Sequence, residues 1–224
     1  MLGKKRVTMI TLNNDFGISL ANGFKDKAGD FGIEIISEYE YSIKDREFGA
    51  IVSKIKSENP DAIYASGYFF TAGPLVRQLR AAGINQPVVG QEGYDSQKFI
   101  EIAGDASEGV MITTSLDRDS SNPVTQSFIE GFSNKAGYPA DMVGASGHTA
   151  ILVLADAMSR AGSTDKASLR DAIASTNLEA STGQISFNAL GEVQKDVQVQ
   201  VVRDGNWHHH SVVSDAELLA PPSK

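Results

Sequence analysis

Four short stretches of this 224-residue chain combine ring, carboxylate and small side chains densely enough to bind a ligand. They are Asn13-Asn14-Asp15-Phe16-Gly17, Ser66-Gly67-Tyr68-Phe69-Phe70-Thr71, Gln91-Glu92-Gly93-Tyr94-Asp95 and Thr113-Thr114-Ser115. Phe16 and Tyr68 offer ring faces, and Glu92 offers a negative charge. Such a set suits a small organic cation or a zwitterion, with rings against its apolar part and the carboxylate on an ammonium. A charge-assisted hydrogen bond of that kind contributes roughly 1.5–3 kcal/mol. The competing reading is that Phe16 and Tyr68 pack at loop bases while Glu92 is solvated, and spacing alone leaves both open.

Catalytic patterns are weaker. No G-x-G-x-x-G follows the first strand pattern and no G-x-x-x-x-G-K-[ST] occurs, so neither type of phosphate cradle is encoded. Gly144-Ala145-Ser146-Gly147-His148 matches neither that loop nor a nucleophile elbow, and His148 reads as structural at the head of an apolar helix. His208-His209-His210 lie on a strand pattern, where neighbours face opposite sides and chelate one metal poorly, so they read as a solvated strand end. No carboxylates pair at an acid/base spacing. The expectation is a non-enzyme without metal or cofactor; an enzyme on a Rossmann-like sheet would need the phosphate loop and nucleophile that these motifs lack.

Composition narrows the classes further. With 20 Lys+Arg against 28 Asp+Glu, the net charge of −8 argues against nucleic acid as the partner. Zero Cys removes disulfides, thiolate metal sites and thiol nucleophiles. An apolar share of 41% suffices for one large or two small cores. No apolar run approaches the roughly 20 residues of a membrane span. Val7–Leu12 is too short for the apolar core of a secretory signal, about 7–15 residues, so the expectation is either an intracellular protein or missing sequence before Met1.

The stretches named above fall where strands should end. Val7–Leu12, Ile33–Tyr39, Ala62–Ala65, Pro87–Gly90 and Gly109–Thr114 read as strands, alternating with helical stripes. Asp45 is the expected N-cap of the helix that Pro60 closes. The order implies a doubly wound parallel α/β sheet, in which ligands sit beyond the carboxyl ends of the strands. After Leu116, a polar stretch to Pro123 reads as a linker. Three helical patterns follow with no strand between them: Val124–Ala136, Gly144–Ala161 and Lys166–Ser175. The middle one is apolar around most of its circumference, and these helices have no preceding strands to cover. Gln184–Phe187 and Val197–Val202 read as late strands with a turn at Asp204-Gly205, and Ala220–Lys224 as a frayed tail.

Several phrases resemble the second lobe of type I periplasmic binding proteins, closest to the leucine/isoleucine/valine-binding branch that feeds ABC importers. They include Arg6-Val7-Thr8-Met9-Ile10, Asn14-Asp15-Phe16-Gly17, Asp45-Arg46-Glu47-Phe48, Asn59-Pro60-Asp61-Ala62-Ile63-Tyr64, Gly67-Tyr68-Phe69, Arg77-Gln78-Leu79-Arg80, Ala103–Gly109, Ala155-Asp156-Ala157 and Gly183–Phe187. The resemblance runs in family order from about Lys4 to Asn206. It implies two lobes that close on an amino acid, with Phe16 and Tyr68 as pocket walls and Glu92 on the α-ammonium. Family members often carry Tyr where Phe16 stands, so a hydroxyl is lost here. It further implies lobe 2 at 4–116, a mostly helical returning part of lobe 1 at 117–190, crossing strands at 191–215 and a tail at 216–224. Partners would be a small-molecule amino acid, branched-chain or otherwise aliphatic, and ABC permease subunits in the membrane. Location would be periplasmic or extracellular. The family's leading lobe 1 segment has no counterpart here, so a truncated chain that binds weakly alone and self-associates around Ile151–Met158 is expected. An amino-acid or amide sensor of the same fold is the alternative.

Overall fold

The computed structural model describes residues 3–219. The first half alternates strand and helix as the periodicity predicts: β1 (Arg6–Leu12), α1 (Asp15–Ala28), β2 (Glu34–Tyr41), α2 (Gly49–Glu58), β3 (Ala62–Ala65), α3 (Phe69–Ala81), β4 (Val88–Gly90), α4 (Gln97–Ala103) and β5 (Met111–Thr114). Asp45 does not cap α2, contrary to expectation. Its carboxylate accepts from the Ser42 N–H at 2.8 Å and closes the preceding turn. The helix starts after Phe48, whose N–H donates to Gln78 Oε1 at 2.7 Å. Asn59, left-handed at φ 48°, ends α2 before Pro60, a residue that disfavours helix at the position ahead of it.

The later elements are α5 (Pro123–Ala136), α6 (Met142–Ala161), α7 (Lys166–Ala174), β6 (Asn177–Ala180), β7 (Gly183–Phe187), β8 (Val193–Gln194), β9 (Val197–Arg203), β10 (Asn206–Val213) and α8 (Ala216–Leu219). Asn122, Asp141 and Asp165 cap α5, α6 and α7 through their side chains, so the polar stretch before Pro123 doubles as a helix start. Asp204 and Gly205, both at positive φ, make the tight turn between β9 and β10. Sequence reading missed β6 and β8, which are short, and placed a strand in the polar β10 only at its histidines. The tail expected from residue 216 begins instead with α8, and Ala220–Lys224 lie outside the described residues.

A seven-stranded sheet runs in the order β10-β9-β5-β4-β3-β1-β2, and β6-β7-β8 form a small separate sheet. Pairings among β1 to β5 are parallel. The chain divides into two compact units. Unit 1 holds residues up to Thr113 with Val201–Trp207, and unit 2 holds Thr114–Gln200 with the residues from His208 onward.

Unit 1 has one continuous core. Ile10, Leu12, Ile63, Val88 and Ile112 meet the stripe Ala72, Leu75, Val76 and Leu79 of α3, with Phe99 of α4 stacked on Trp207 at 5.7 Å. In unit 2, Val153 of α6 packs with Ala180 and Ile185 of the small sheet, which partly covers the helices expected to stand bare. The buried stripe of α6 is nevertheless narrow: Ala145, Thr149, Val153 and Ala157. Ile151, Leu154 and Met158 remain exposed, so α6 is buried on one side and not on several. By length and composition alone α6 could cross a membrane, which corrects the expectation that no stretch is long and apolar enough. Its packed stripe and its Asp156–Arg160 ion pair at 2.8 Å account for that composition as a surface-lying helix of a folded unit.

Gly67 tests how tightly unit 1 is built. At φ 149°, a Cβ there would lie 1.9 Å from the Tyr41 hydroxyl oxygen. Gly67→Ala should cost more than about 2 kcal/mol in denaturant unfolding. Gly23→Ala, in α1 with open space around it, should gain about 0.5–1 kcal/mol by the same measurement.

Candidate functional site

The carboxyl ends of β1, β3 and β4 meet at one rim of unit 1. After β1, Asn14 caps α1 by accepting from the Gly17 N–H at 2.8 Å, and this sets Phe16 in the helix's first turn. Gly17 must be glycine, because a Cβ would stand 2.1 Å from the Leu12 carbonyl oxygen. Ser66, at the end of β3, ties the two loops: its Oγ accepts from the Leu12 N–H at 3.3 Å and donates to the Gly17 carbonyl at 3.2 Å.

After β3 the chain turns at Gly67 and α3 starts behind Tyr68. The Thr71 hydroxyl donates to the Tyr68 carbonyl at 2.9 Å and accepts from the Tyr68 N–H at 3.4 Å, which holds the ring-bearing residue to the helix. Below it, the Tyr41 hydroxyl donates to the Ser66 carbonyl at 2.9 Å and lies 3.1 Å from Thr71 Oγ1. Burial pushes the Tyr41 phenol up to about 12, with the Thr71 hydrogen bond pulling the other way.

After β4, Gln91 joins the third loop to the second. It is buried, its Nε2 donates to the Gly67 carbonyl at 2.8 Å, and its Oε1 accepts from the Gly93 N–H at 2.7 Å. Gly93 sits so close that a Cβ would be 2.1 Å from the Gly67 oxygen. Glu92 lies between these two residues, at the start of a single 3-10 turn, Glu92–Tyr94. It is half-buried, and its carboxylate has no hydrogen bond or ion pair among the described residues. Tyr94 is fully buried beneath Gly90 and anchors the loop.

The three residues expected from sequence are therefore neighbours. Phe16 and Tyr68 stack at 5.0 Å with planes 7° apart, and the loop that carries Glu92 is joined to the loop that carries Tyr68 by the contacts of Gln91 and Gly93 with Gly67. Sequence reasoning missed two kinds of participant. Ser66, Gln91 and Tyr41 are positioning residues whose roles depend on contacts between loops distant in the chain. Phe70 and Arg46 extend the ring row: Phe70 stacks on Tyr68 at 5.6 Å, and the Arg46 guanidinium lies over Phe70 at 5.3 Å. The Phe69-Phe70 pair beside Tyr68 was the available signal for that extension.

Two concavities of unit 1 lie away from this rim. One, of about 580 Å3, is lined by Arg77, Arg80, Glu101 and Asp105 among others. The second, of about 280 Å3, is apolar and includes Phe24, Phe31 and Tyr64. Neither contains Phe16, Tyr68 or Glu92.

The histidines do not form a site. His148 Nδ1 lies 3.0 Å from Ser181 Oγ, and its ring packs on Phe128 at 5.0 Å, a structural role within unit 2. His208 and His209 are not simply solvated. Their Nδ1 atoms face Asp119 at 3.4 Å and Asp117 at 3.2 Å. Among the described residues no three His, Asp or Glu side chains gather as metal ligands.

Unit 1 is thus a mostly parallel α/β sheet with ring and carboxylate side chains on the loops at one rim, and sequence comparison supplies the family. Residues 1–206 match the periplasmic binding protein family, to which the chain belongs. It is similar to the leucine-, isoleucine-, valine-, threonine-, and alanine-binding protein of Pseudomonas aeruginosa, with 27% identity over 192 residues, 85% of this chain and 51% of the relative. It is also similar to the crystal structure of a leucine binding protein from Thermotoga maritima, with 32% identity, a TM-score of 0.86, and coverage of 96% of this chain and 62% of that one. A branched-chain amino acid transporter substrate-binding protein from Streptococcus pneumoniae, solved with isoleucine, shares the fold at 24% identity and TM-score 0.85, covering 95% of this chain and 61% of that one. The chain spans about half the length of the curated relatives it matches.

Two outcomes test the rim's construction. Gln91→Leu should speed amide hydrogen exchange in residues 66–70 and 92–95 while the β1 amides stay protected. The raised phenol of Tyr41 contributes stability that is intact below about pH 10 and is lost as pH climbs through about 12. Tyr41→Phe should therefore be less stable at neutral pH but show a shallower loss of unfolding midpoint between those values.

Proposed function

We propose that this chain is the amino-acid-capturing part of an ABC importer's substrate-binding protein. Glu92 receives the ligand's α-ammonium, while Phe16 and Tyr68 form the wall for its side chain. The observation that carries this reading is Glu92 itself: a half-buried carboxylate without a partner among the described residues, on a loop that a buried Gln91 hydrogen bond ties to the loop bearing the stacked Tyr68 ring. A carboxylate so placed has given up part of its water and offers an ammonium a short charge-assisted bond. The family and the leucine-binding relatives support an aliphatic or other apolar amino acid. Residues 4–116 form the ligand-bearing lobe in this reading, 117–190 belong to the other lobe, and 191–215 cross back.

Capture proceeds by closure of the two lobes, and the closed form is what membrane permease subunits recognise, from the periplasmic or extracellular side. In this reading each lobe covers only part of a small ligand and closure of both buries most of it, so unit 1 by itself is a weak binder. Isothermal calorimetry on the native protein should show Glu92→Gln weakening leucine about ten- to a hundredfold, with Glu34→Gln, exposed on β2, as the unaffected control. Undiminished leucine binding by Glu92→Gln would remove the ammonium role.

The exposed Ile151, Leu154 and Met158 of α6 support self-association of this chain, since an apolar helix face of that size seldom stays hydrated. Sedimentation should find species larger than a monomer, and Ile151→Glu with Met158→Lys should restore the monomer. A compact wild-type monomer at all concentrations would contradict it.

A further inference from the structure

We propose that Asp117 and Asp119 form a hub that ties together, within unit 2, the three passages of the chain between the units, and that this hub is the fixed side of the hinge on which capture depends. This rests on the reading of capture as closure of two lobes and specifies the residues that articulate it.

The chain passes between the units at Thr113–Thr114, Gln200–Val201 and Trp207–His208. Just past these points, inside unit 2, the polar stretch before Pro123 meets the histidines of β10, two features that the rim does not use. Asp117 Oδ1 accepts from Gln200 Nε2 at 3.1 Å, which ties the first passage to the second. Asp119 Oδ2 accepts from the His209 N–H at 2.7 Å, which ties the first passage to the third. The imidazoles reinforce that pairing: His208 Nδ1 lies 3.4 Å from Asp119 Oδ2, and His209 Nδ1 lies 3.2 Å from Asp117 Oδ2. The Asp119 N–H donates to Asp117 Oδ1 at 3.0 Å, so one turn sets both carboxylates.

The hub is itself anchored in unit 2. Leu116, immediately before it, is fully buried with Phe128 and Ala145. Arg118 donates from NH2 to the Ala140 carbonyl at 3.2 Å, and Gln126 Nε2 of α5 donates to the Ser120 carbonyl at 2.5 Å. Gln200 is fully buried, so its bond to Asp117 is shielded from competing water. Each passage therefore enters unit 2 already joined to the others. The freedom to bend is left at the three boundaries, where a few backbone angles can absorb a rotation. Untied passages would each have to be ordered when the lobes close, and that ordering would lower ligand affinity.

Hydrogen exchange and stopped-flow fluorescence on the native protein test this, with Trp207, the sole tryptophan, as reporter beside the third passage. Asp117→Ala with Asp119→Ala should speed amide exchange about tenfold in residues 116–120 and 208–212, and should weaken leucine about three- to tenfold, chiefly by slowing the closing step. His208→Ala with His209→Ala, which keeps the His209 N–H on Asp119, should act in the same direction by less. If the aspartate variant fails to fold in thermal unfolding, the histidine variant carries both readouts. Asp26→Asn, exposed on α1, is the control with neither effect. Unchanged exchange, or faster exchange with unchanged leucine affinity and closing rate, would overturn the inference. If Glu92→Gln still weakens leucine in that case, the amino-acid reading stands without it. If wild type binds no amino acid, that reading falls and the hinge role with it, whereas the exchange result still decides whether the hub ties the passages.

Discussion

The rim depends on one constraint: the backbone after β3 passes within van der Waals contact of the loop after β4 and of the Tyr41 hydroxyl. Gly67 and Gly93 permit that approach because any Cβ would overlap an oxygen atom. Once the loops are this close, a single buried side chain, Gln91, satisfies the Gly67 carbonyl and the Gly93 N–H together. Ser66 does the same between β3 and β1. Buried polar groups left unpaired cost about 1–3 kcal/mol each, so these bridges fix the loops and do not merely decorate them. The loops that carry Glu92, Tyr68 and Phe16 are thus positioned largely by contacts of the neighbouring residues.

That arrangement separates rigidity from chemistry. The bridging residues are buried and fully engaged, whereas the side chains facing outward are half-buried and, in the case of Glu92, without a partner among the described residues. The neighbours' bonds hold the backbone on either side of Glu92 and leave its carboxylate unengaged. Unit 2 presents the opposite economy. In α6 a narrow stripe of Ala145, Thr149, Val153 and Ala157 is buried, and larger apolar residues lie on the exposed side.

Much of this was legible in the chain. The alternation of β-branched runs with helical stripes gave the parallel sheet, and the rule that ligands gather beyond strand ends pointed to Phe16, Tyr68 and Glu92 before any coordinates. Helix starts were partly legible. Asp45 resembles a cap in sequence, yet it serves the turn at Ser42, because Gln78 of α3 supplies the partner for the Phe48 N–H. The extent of β10 was less legible, because polar residues and three histidines break the apolar alternation and the strand's length comes from pairing in the sheet.

The sequence by itself determined which residues stand at the strand ends, since hydrophobic periodicity is a local property that survives without knowing the fold. Only the tertiary structure decided what those residues touch. Phe16 lies 52 positions before Tyr68 and Arg46 lies 24 before Phe70, and nothing local states that their side chains stack. The sheet order places β3 between β1 and β4, and this long-range pairing converts three separate loops into one rim.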